Sequence, residues 1–289
     1  MQELAGKTAV VTGASSGIGR AMAMRWARAG MNVVVGDIDE PELDAAIAEL
    51  RTIGNAAGQR CDVTDEEDVE GLLDLTITEF DRAHLVCNNA GVTGPTGLPP
   101  HGFAMNDWRW VIEVDLYGLV HGARVFTPHL VAHGDGHIVN TASQSGLTSG
   151  AVIGAPYYAA KHAAVAVSEC QFHDLRATAP GVNVSVLCPG AVATNIMDGE
   201  RHRPERFATP SDDSDDRRAA AATAAMREVI HAGRSADEVA EIVHDAVLAD
   251  DFYIYTDPAI VDSVAQRHRA IEQRLDPPSG RMDADILGT

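Results

Sequence analysis

The stretch that decides the fold is KTAVVTGASSGIG, residues 7–19. Its first half is a short apolar run rich in β-branched residues, which predicts a buried strand. Its second half carries Gly13, Gly17 and Gly19 and opens a segment with helical periodicity. Glycines at such a turn let backbone amides approach a pyrophosphate, whose charge is stabilised at the helix N-terminus. On its own, this spacing also fits an ordinary tight turn between a strand and a helix.

The alternation of strand and helix continues along the chain. Short apolar runs predict strands at residues 7–12, 32–37, 56–61, 83–88, 136–142, 182–188 and 252–255. Segments with helical periodicity lie between them, near residues 17–30, 40–53, 65–80, 105–133, 157–178, 235–249 and 258–275. Strands that alternate with helices in this way form a parallel sheet that is covered on both faces. The sequence therefore predicts an α/β Rossmann fold, a three-layer doubly wound parallel sheet of about seven strands.

One segment interrupts this rhythm. Residues 195–233 contain an acidic run followed by an alanine-rich helix former. This segment is either a capped surface helix with a mobile approach or a lid over the active site. The chain is long enough for one sizeable core, so we predict a single domain over residues 1–275. The tail, residues 276–289, has two prolines and a glycine among its first five residues and is predicted to be flexible.

The charge of the chain excludes some classes of partner. Acidic residues number 42 against 22 basic ones, giving a formal net charge of −20. Such a surface repels nucleic acid and anionic membranes. The four cysteines are scattered without a paired motif and the twelve histidines suggest no ligand set, so we predict a cytoplasmic protein without a metal site.

An acidic residue, Asp37, ends the second predicted strand, 18 residues after Gly19. A carboxylate there accepts hydrogen bonds from the ribose hydroxyls of NAD and repels the 2′-phosphate of NADP. The competing interpretation is a helix N-cap or turn aspartate. No basic residue stands at positions 15–16 or 37–39, so the sequence favours NAD over NADP. The predicted contacts of this half of the cofactor are Gly13, Ser15, Ser16, Gly17, Ile18, Gly19, Asp37 and Ile38.

A candidate catalytic pair follows the fifth predicted strand. Tyr157 and Lys161 are four residues apart, so that on a helix they share one face. A nearby ammonium group favours the ionised form of a phenol, which makes Tyr157 a candidate acid/base. Ser143, fourteen residues before Tyr157, can donate a hydrogen bond to a substrate oxygen. Tyr158 is a weaker rival, and the only other lysine of the chain is Lys7.

Together these motifs resemble those of the short-chain dehydrogenase/reductase family, from about residue 5 to residue 260. The resemblance implies that Asp62 and Val63 hold the adenine. It also implies that Asn89, Ala90 and Gly91 line the cofactor, that Tyr157 contacts it and that Lys161 binds the nicotinamide ribose. The stretch implied to touch the nicotinamide end runs from Pro189 to Thr194 and includes Gly190 and Val192.

The sequence departs from the family pattern at Asp115, where an asparagine that helps to hold a relay water is usual. Aspartate can accept the same hydrogen bonds, but its charge raises the pKa of the lysine and reduces its help to the phenolate. We keep Asp115 as a catalytic candidate. The alternative is that only its backbone carbonyl matters.

The predicted activity is hydride transfer between a secondary alcohol or ketone and the nicotinamide of NAD, with Tyr157 as general acid/base. Two alternatives share the scaffold: a dinucleotide-binding regulator that has lost turnover, and an epimerase or dehydratase. The predicted pocket lining, residues 93–103, 144–156 and the segment after Thr194, favours a neutral, fairly hydrophobic substrate. The resemblance also implies a homotetramer or dimer built on the helices near 105–133 and 157–178.

Overall fold

The computed structural model describes residues 1, 3–150, 154–209 and 217–279. Three parts of the sequence predictions therefore lie outside the described residues. They are residues 151–153 of the predicted pocket lining, 210–216 of the predicted lid and 280–289 of the predicted tail.

A seven-stranded parallel sheet forms the centre of the fold. Its strands are β1 (Thr8–Thr12), β2 (Asn32–Asp37), β3 (Ala56–Arg60), β4 (Leu85–Asn88), β5 (Gly136–Thr141), β6 (Val182–Cys188) and β9 (Tyr253–Tyr255). Two further strands, β7 (Val192–Ala193) and β8 (Arg234–Ser235), pair with each other. In the large sheet the order is β3-β2-β1-β4-β5-β6-β9. The chain reverses direction across the sheet between β1 and β4, and ligands bind at the carboxyl ends of strands at such a point.

Helices cover both faces of the sheet. They are α1 (Gly17–Arg28), α2 (Glu40–Leu50), α3 (Glu66–Phe80), α4 (Met105–Ile112), α5 (Gly118–His133), α6 (Ala155–Thr178), α7 (Arg217–His231), α8 (Ala236–Ala249) and α9 (Ala259–Gln273). Neighbouring residues of β1 show the two layers, because Val10 packs in a core with Phe126 while Val11 packs in another with Trp26. Successive strand side chains point to opposite faces, so a strand covered on both sides is apolar throughout. This confirms the predicted α/β fold with its three layers.

The segment predicted as one helix over 105–133 is interrupted. A π-helical turn, Glu113–Tyr117, joins α4 to α5 and carries Asp115. Such turns occur mostly as single insertions within α-helices and frequently at functional sites. None of the described helices is long and apolar enough to cross a membrane.

Candidate active site

The glycine turn forms a cradle between β1 and α1. Gly13 has φ +65° and Gly17 has φ +55°, a region that side chains rarely adopt. A Cβ atom on Gly13 would lie 2.7 Å from the Ala90 Cα, and one on Gly17 would lie 3.2 Å from the Thr194 Cγ2. Ser16 caps α1 without a side-chain hydrogen bond. The cradle therefore has room for a group that approaches the helix N-terminus closely, and it fits a pyrophosphate.

Asp37 is fixed at the edge of this cleft. Its Oδ2 accepts a hydrogen bond from the Ser15 amide at 2.9 Å, and its Oδ1 accepts one from the Asp39 amide at 3.1 Å. The N-cap of α2 is Asp39, whose side chain accepts from the Glu42 amide, so Asp37 does not cap that helix. Its carboxylate lines the cleft beside Ile38.

Asp62 and Val63 line the next part of the cleft. The Oδ1 of Asp62 accepts hydrogen bonds from the amide and the hydroxyl of Thr64, and its Oδ2 accepts one from Arg206. Burial opposes ionisation here, but these hydrogen bonds hold the pKa of Asp62 below its ordinary value. The residue is therefore a carboxylate, an acceptor for an amine such as that of adenine.

The loop after β4 forms the floor of the cleft. The Asn89 amide group donates to the Thr12 carbonyl at 3.1 Å, and the Thr12 hydroxyl accepts from the Asn89 backbone. The Thr141 hydroxyl donates to the Asn89 side-chain oxygen at 3.2 Å. Asn89 thus links three strand ends and fixes the position of Ala90 and Gly91, which line the cleft.

Tyr157 and Lys161 lie side by side at the inner end of the cleft. Both are buried, and the Lys161 Nζ is 5.6 Å from the centre of the Tyr157 ring. Lys161 donates a hydrogen bond to the Thr141 carbonyl at 3.2 Å. Tyr157 lines both the nucleotide cleft and a smaller adjoining cavity, whereas Tyr158 lines neither.

Burial decides the acidity of the Tyr157 phenol. Desolvation raises its pKa above the ordinary value, although Lys161 and a hydrogen bond with Ser143 lower it. Asp115 adds to the rise. Lys161 therefore lowers the pKa of Tyr157, as expected from the sequence, but burial raises that pKa by more.

Asp115 occupies a buried position behind Lys161. Its Oδ1 accepts a hydrogen bond from the Val92 amide at 2.7 Å, and its Oδ2 lies 3.3 Å from the Lys161 Nζ. Burial alone would lower the pKa of Lys161, but Asp115 and Tyr157 raise it above its ordinary value. The side chain of Asp115 is thus engaged by Val92 and Lys161, and its catalytic role stays a prediction.

The smaller cavity adjoins Ser143 and Tyr157. The Ser143 Oγ accepts a hydrogen bond from the Ser145 amide at 3.1 Å, and its hydroxyl also makes a hydrogen bond with Tyr157. None of the described residues around the cavity carries a charged side chain. They are Ile18, Thr93, Ser143, Gln144, Ser145, Tyr157, Pro189, Gly190, Val192, Thr194, Ile196, Met197, Met226 and Ile230.

The structure thus brings together the predicted site residues. Those that line the nucleotide cleft are Gly13, Ser15, Ser16, Gly17, Ile18, Asp37, Ile38, Asp62, Val63, Asn89, Ala90, Gly91, Tyr157, Lys161, Pro189 and Thr194. Gly19 lies beneath the cradle, while Ser143, Gly190 and Val192 lie at the smaller cavity. The sequence analysis placed the segment after Thr194 in the pocket lining without naming its contacts. Two of them, Met226 and Ile230 of α7, line the smaller cavity, and their spacing of four on an alanine-rich helix indicates an apolar stripe. Gly199, Arg201, His202 and Pro204 of the same segment line the nucleotide cleft.

Known proteins share this arrangement. The profile of the family described as short chain dehydrogenase matches residues 7–205. The chain belongs to the short-chain dehydrogenase/reductase family. It is 39% identical to 1-deoxy-11-beta-hydroxypentalenate dehydrogenase of Streptomyces exfoliatus, over 86% of this chain and 82% of the relative. It is 34% identical to 3beta-hydroxysteroid dehydrogenase 2 of Eggerthella lenta, over 70% of this chain and 77% of the relative.

A solved structure is also close to this short-chain dehydrogenase. A short-chain dehydrogenase/reductase from Burkholderia phymatum in complex with NAD superposes with a TM-score of 0.92. The two are 40% identical, and the match covers 97% of this chain and 99% of that one. These findings confirm the predicted fold and the predicted class. The protein is an oxidoreductase that uses a nicotinamide cofactor and transfers hydride to or from a small-molecule substrate.

Proposed function

We propose that this short-chain dehydrogenase oxidises a neutral, apolar secondary alcohol with NAD, or reduces the corresponding ketone. The observation that carries the proposal is the cavity beside Ser143 and Tyr157, whose described lining is mostly apolar and uncharged. An acid substrate would need a basic partner there, whereas a hydroxyl on a hydrophobic body needs only the tyrosine and serine.

The roles of the residues follow from their contacts. When bound, the nicotinamide ring accepts or returns the hydride. In oxidation, Tyr157 in its phenolate form takes the hydroxyl proton, while the Ser143 hydroxyl donates a hydrogen bond to the same oxygen. The Lys161 ammonium stabilises the phenolate, and Asp115 holds that ammonium from behind. Ketone reduction reverses the proton transfer, with the phenol as acid.

The preference for NAD rests on Asp37. Both of its oxygens already accept backbone hydrogen bonds, so the carboxylate cannot turn away from the ribose to admit a 2′-phosphate. We expect a higher kcat/KM for NAD than for NADP, and we expect Asp37→Ser to narrow the difference because it removes the repelling charge. Equal use of both cofactors by the wild type would contradict this assignment.

The substrate class is proposed as hydroxylated alicyclic compounds. The names of the pentalenate and steroid relatives support this class, and so does the apolar cavity. The test is a panel of cyclohexanol, 1-phenylethanol and a 3β-hydroxysteroid with NAD, followed by NADH absorbance. Tyr157→Phe is the matched variant, since it removes only the phenolic oxygen. Turnover that survives Tyr157→Phe would overturn the proposed role of Tyr157, and interconversion without NADH formation would favour an epimerase.

We also propose that α7 and residues 195–209 before it form a lid within the single domain. Met226 of α7 is fully buried against the cluster that contains Tyr157. The hydroxyls of Thr223 and Thr96 lie 2.7 Å apart and join α7 to the loop after β4. A lid built in this way separates the reacting atoms from water.

The proposal extends to the oligomeric state of the protein. A homotetramer or dimer through α5 and α6 is supported by apolar residues left uncovered on these helices and the turn before them, such as Tyr117, Val131 and Ala166. The alternative use of the small residues of α6 is internal packing, and Ala160 and Ala164 are indeed fully buried within the chain. Light scattering distinguishes an oligomer from a monomer.

All four cysteines are free thiols, which suits the reducing cytoplasm.

A further inference from the structure

One segment crosses the adenosine half of the nucleotide cleft. It consists of two short 3-10 helices, Ile196–His202 and Glu205–Phe207, which we call the clasp, residues 196–207. Arg201, His202 and Pro204 of the clasp line the same cleft as the residues expected to bind the adenosine. The clasp is therefore the part of the proposed lid segment that lines the nucleotide cleft.

The first contact of the clasp is made by Arg206. Its guanidinium donates to the Asp62 Oδ2 at 3.0 Å and also to the Thr64 hydroxyl. The Asp62 side chain is only 11% exposed. A carboxylate so nearly buried needs partners for its charge, and Arg206 supplies one of them.

The second contact is made beside the ribose end. The His202 Nε2 lies 3.4 Å and the Arg201 guanidinium 3.9 Å from the Asp39 Oδ2. Asp39 is the residue whose amide donates to Asp37. The clasp thus meets the cleft at two acidic side chains, one near each end of the adenosine.

Arg203 fastens the clasp to the body of the protein. Its side chain is 7% exposed, pairs with Asp107 at 2.9 Å and stacks on the Trp110 ring at 4.2 Å. It also pairs with Glu200 within the clasp. Arginine suits this position because one planar group serves two carboxylates and an aromatic face together.

We infer that Arg206 is a positioning residue for the adenosine half of the cofactor and that it acts through Asp62. The fold of the clasp places Arg206 beside Asp62. This inference rests on the proposed function, because it requires a nicotinamide dinucleotide. Arg206 occupies the outer side of Asp62 and keeps its carboxylate ionised and oriented. The carboxylate then faces the cleft as an acceptor for the adenine amine.

The experiment compares ligands that contain or lack the adenosine. NADH, ADP-ribose and reduced nicotinamide mononucleotide are titrated by fluorescence or calorimetry against the wild type, Arg206→Ala and Arg206→Lys. We expect Arg206→Ala to weaken NADH and ADP-ribose by about threefold to tenfold, as is ordinary for a charge-assisted hydrogen bond at a partly exposed site. Binding of the mononucleotide should stay unchanged, and Arg206→Lys should recover part of the loss.

Two controls separate positioning from a general effect. Arg124→Ala removes an exposed arginine that pairs with Glu66 and lines neither the nucleotide cleft nor the smaller cavity, so it matches the change in charge and should leave all three ligands unaffected. In an Asp62→Asn background, Arg206→Ala should have little further effect on ADP-ribose, because the two residues act as one unit.

Several results would overturn the inference. They are unchanged ADP-ribose binding by Arg206→Ala, an equal loss of mononucleotide and ADP-ribose binding, and an undiminished effect in the Asp62→Asn background. Failure of the wild type to bind either NADH or ADP-ribose would instead overturn the proposed function, and the inference with it.

Discussion

The Asp115 carboxylate next to Lys161 leads to a prediction about pH dependence. Asp115→Asn keeps an oxygen for the Val92 amide but removes the charge that lies 3.3 Å from the Lys161 Nζ. At that distance and an effective dielectric constant of about 20, the attraction between the two charges is about 5 kcal/mol. At the same dielectric constant, two like charges about 7 Å apart repel each other by about 2 kcal/mol, which corresponds to between about one and two pKa units and sets the scale for Tyr157.

The sign of the change follows from the role of Tyr157. Asp115 raises the pKa of Tyr157, so its neutralisation lowers that pKa and makes the phenolate available at lower pH. We therefore expect the acid limb of kcat for alcohol oxidation to move to lower pH by about one to two units in Asp115→Asn.

The assay is the pH profile of oxidation with saturating NAD, supported by the tyrosinate absorbance difference between each enzyme and its Tyr157→Phe variant. Asp115→Ala is the matched comparison, because it removes the charge and the acceptor for Val92 together. An acid limb that stays in place would refute the reasoning. A shift to higher pH would also refute it, and would show that Lys161 loses its proton when the carboxylate is removed.

Three further predictions concern the lid, the pocket and the sheet. Gly97 has φ +75°, and a Cβ there would lie 2.8 Å from the Ala222 Cβ of α7. Gly97→Ala should therefore weaken the packing of α7, which would raise KM for the alcohol and speed amide hydrogen exchange in α7 without changing NADH binding. Met226→Ala should enlarge the cavity and raise kcat/KM for a bulky alcohol relative to a small one by about tenfold, and an unchanged ratio would contradict a place for Met226 beside the substrate. Burial lowers the pKa of His137 to about 4. Below about pH 6.5 this histidine is protonated in the unfolded state but not in the folded state, so it should lower the free energy of unfolding by about 3 kcal/mol when the pH reaches about 4. In denaturant unfolding, His137→Gln should lose that part of the pH dependence; an identical dependence in both proteins would contradict the assignment.

Much of the nucleotide site could be predicted because its signals are local. The glycine turn, Asp37 at a strand end and the spacing of Tyr157 and Lys161 each follow from the periodicity of the element that carries them. Those elements then meet at the point where a parallel sheet reverses its order. Residues far apart in sequence therefore come together without any need to predict individual contacts.

The remaining features depend on long-range packing. The residues around Arg206 in the sequence do not indicate that its side chain contacts Asp62, because the two residues are 144 positions apart. Their contact depends on how the clasp folds against the cleft. The raised pKa of Tyr157 could not be predicted for a similar reason. The burial that causes it comes from several elements, whereas the spacing of Tyr157 and Lys161 indicates only that the two share a helix face. The effect of the Asp115 charge on the pKa of Lys161 was expected from the sequence, and the structure adds the 3.3 Å distance between the two groups and the hydrogen bond from Val92.

The π turn at Glu113–Tyr117 has a consequence for the register of the chain. A turn closed by bonds to the fifth residue holds one residue more than an ordinary helical turn, and one residue corresponds to about 100° of rotation. The wide turn absorbs the extra residue locally, so α4 and α5 keep the rotational phase of one continuous helix, and Trp110 before the turn and Phe126 after it are both buried. Deleting one residue here would close the turn as ordinary α-helix and leave that phase unchanged, but it would remove the bulge that carries Asp115. The effect of such a deletion would therefore fall on the contact between Asp115 and Lys161, and not on the packing of the helices against the sheet.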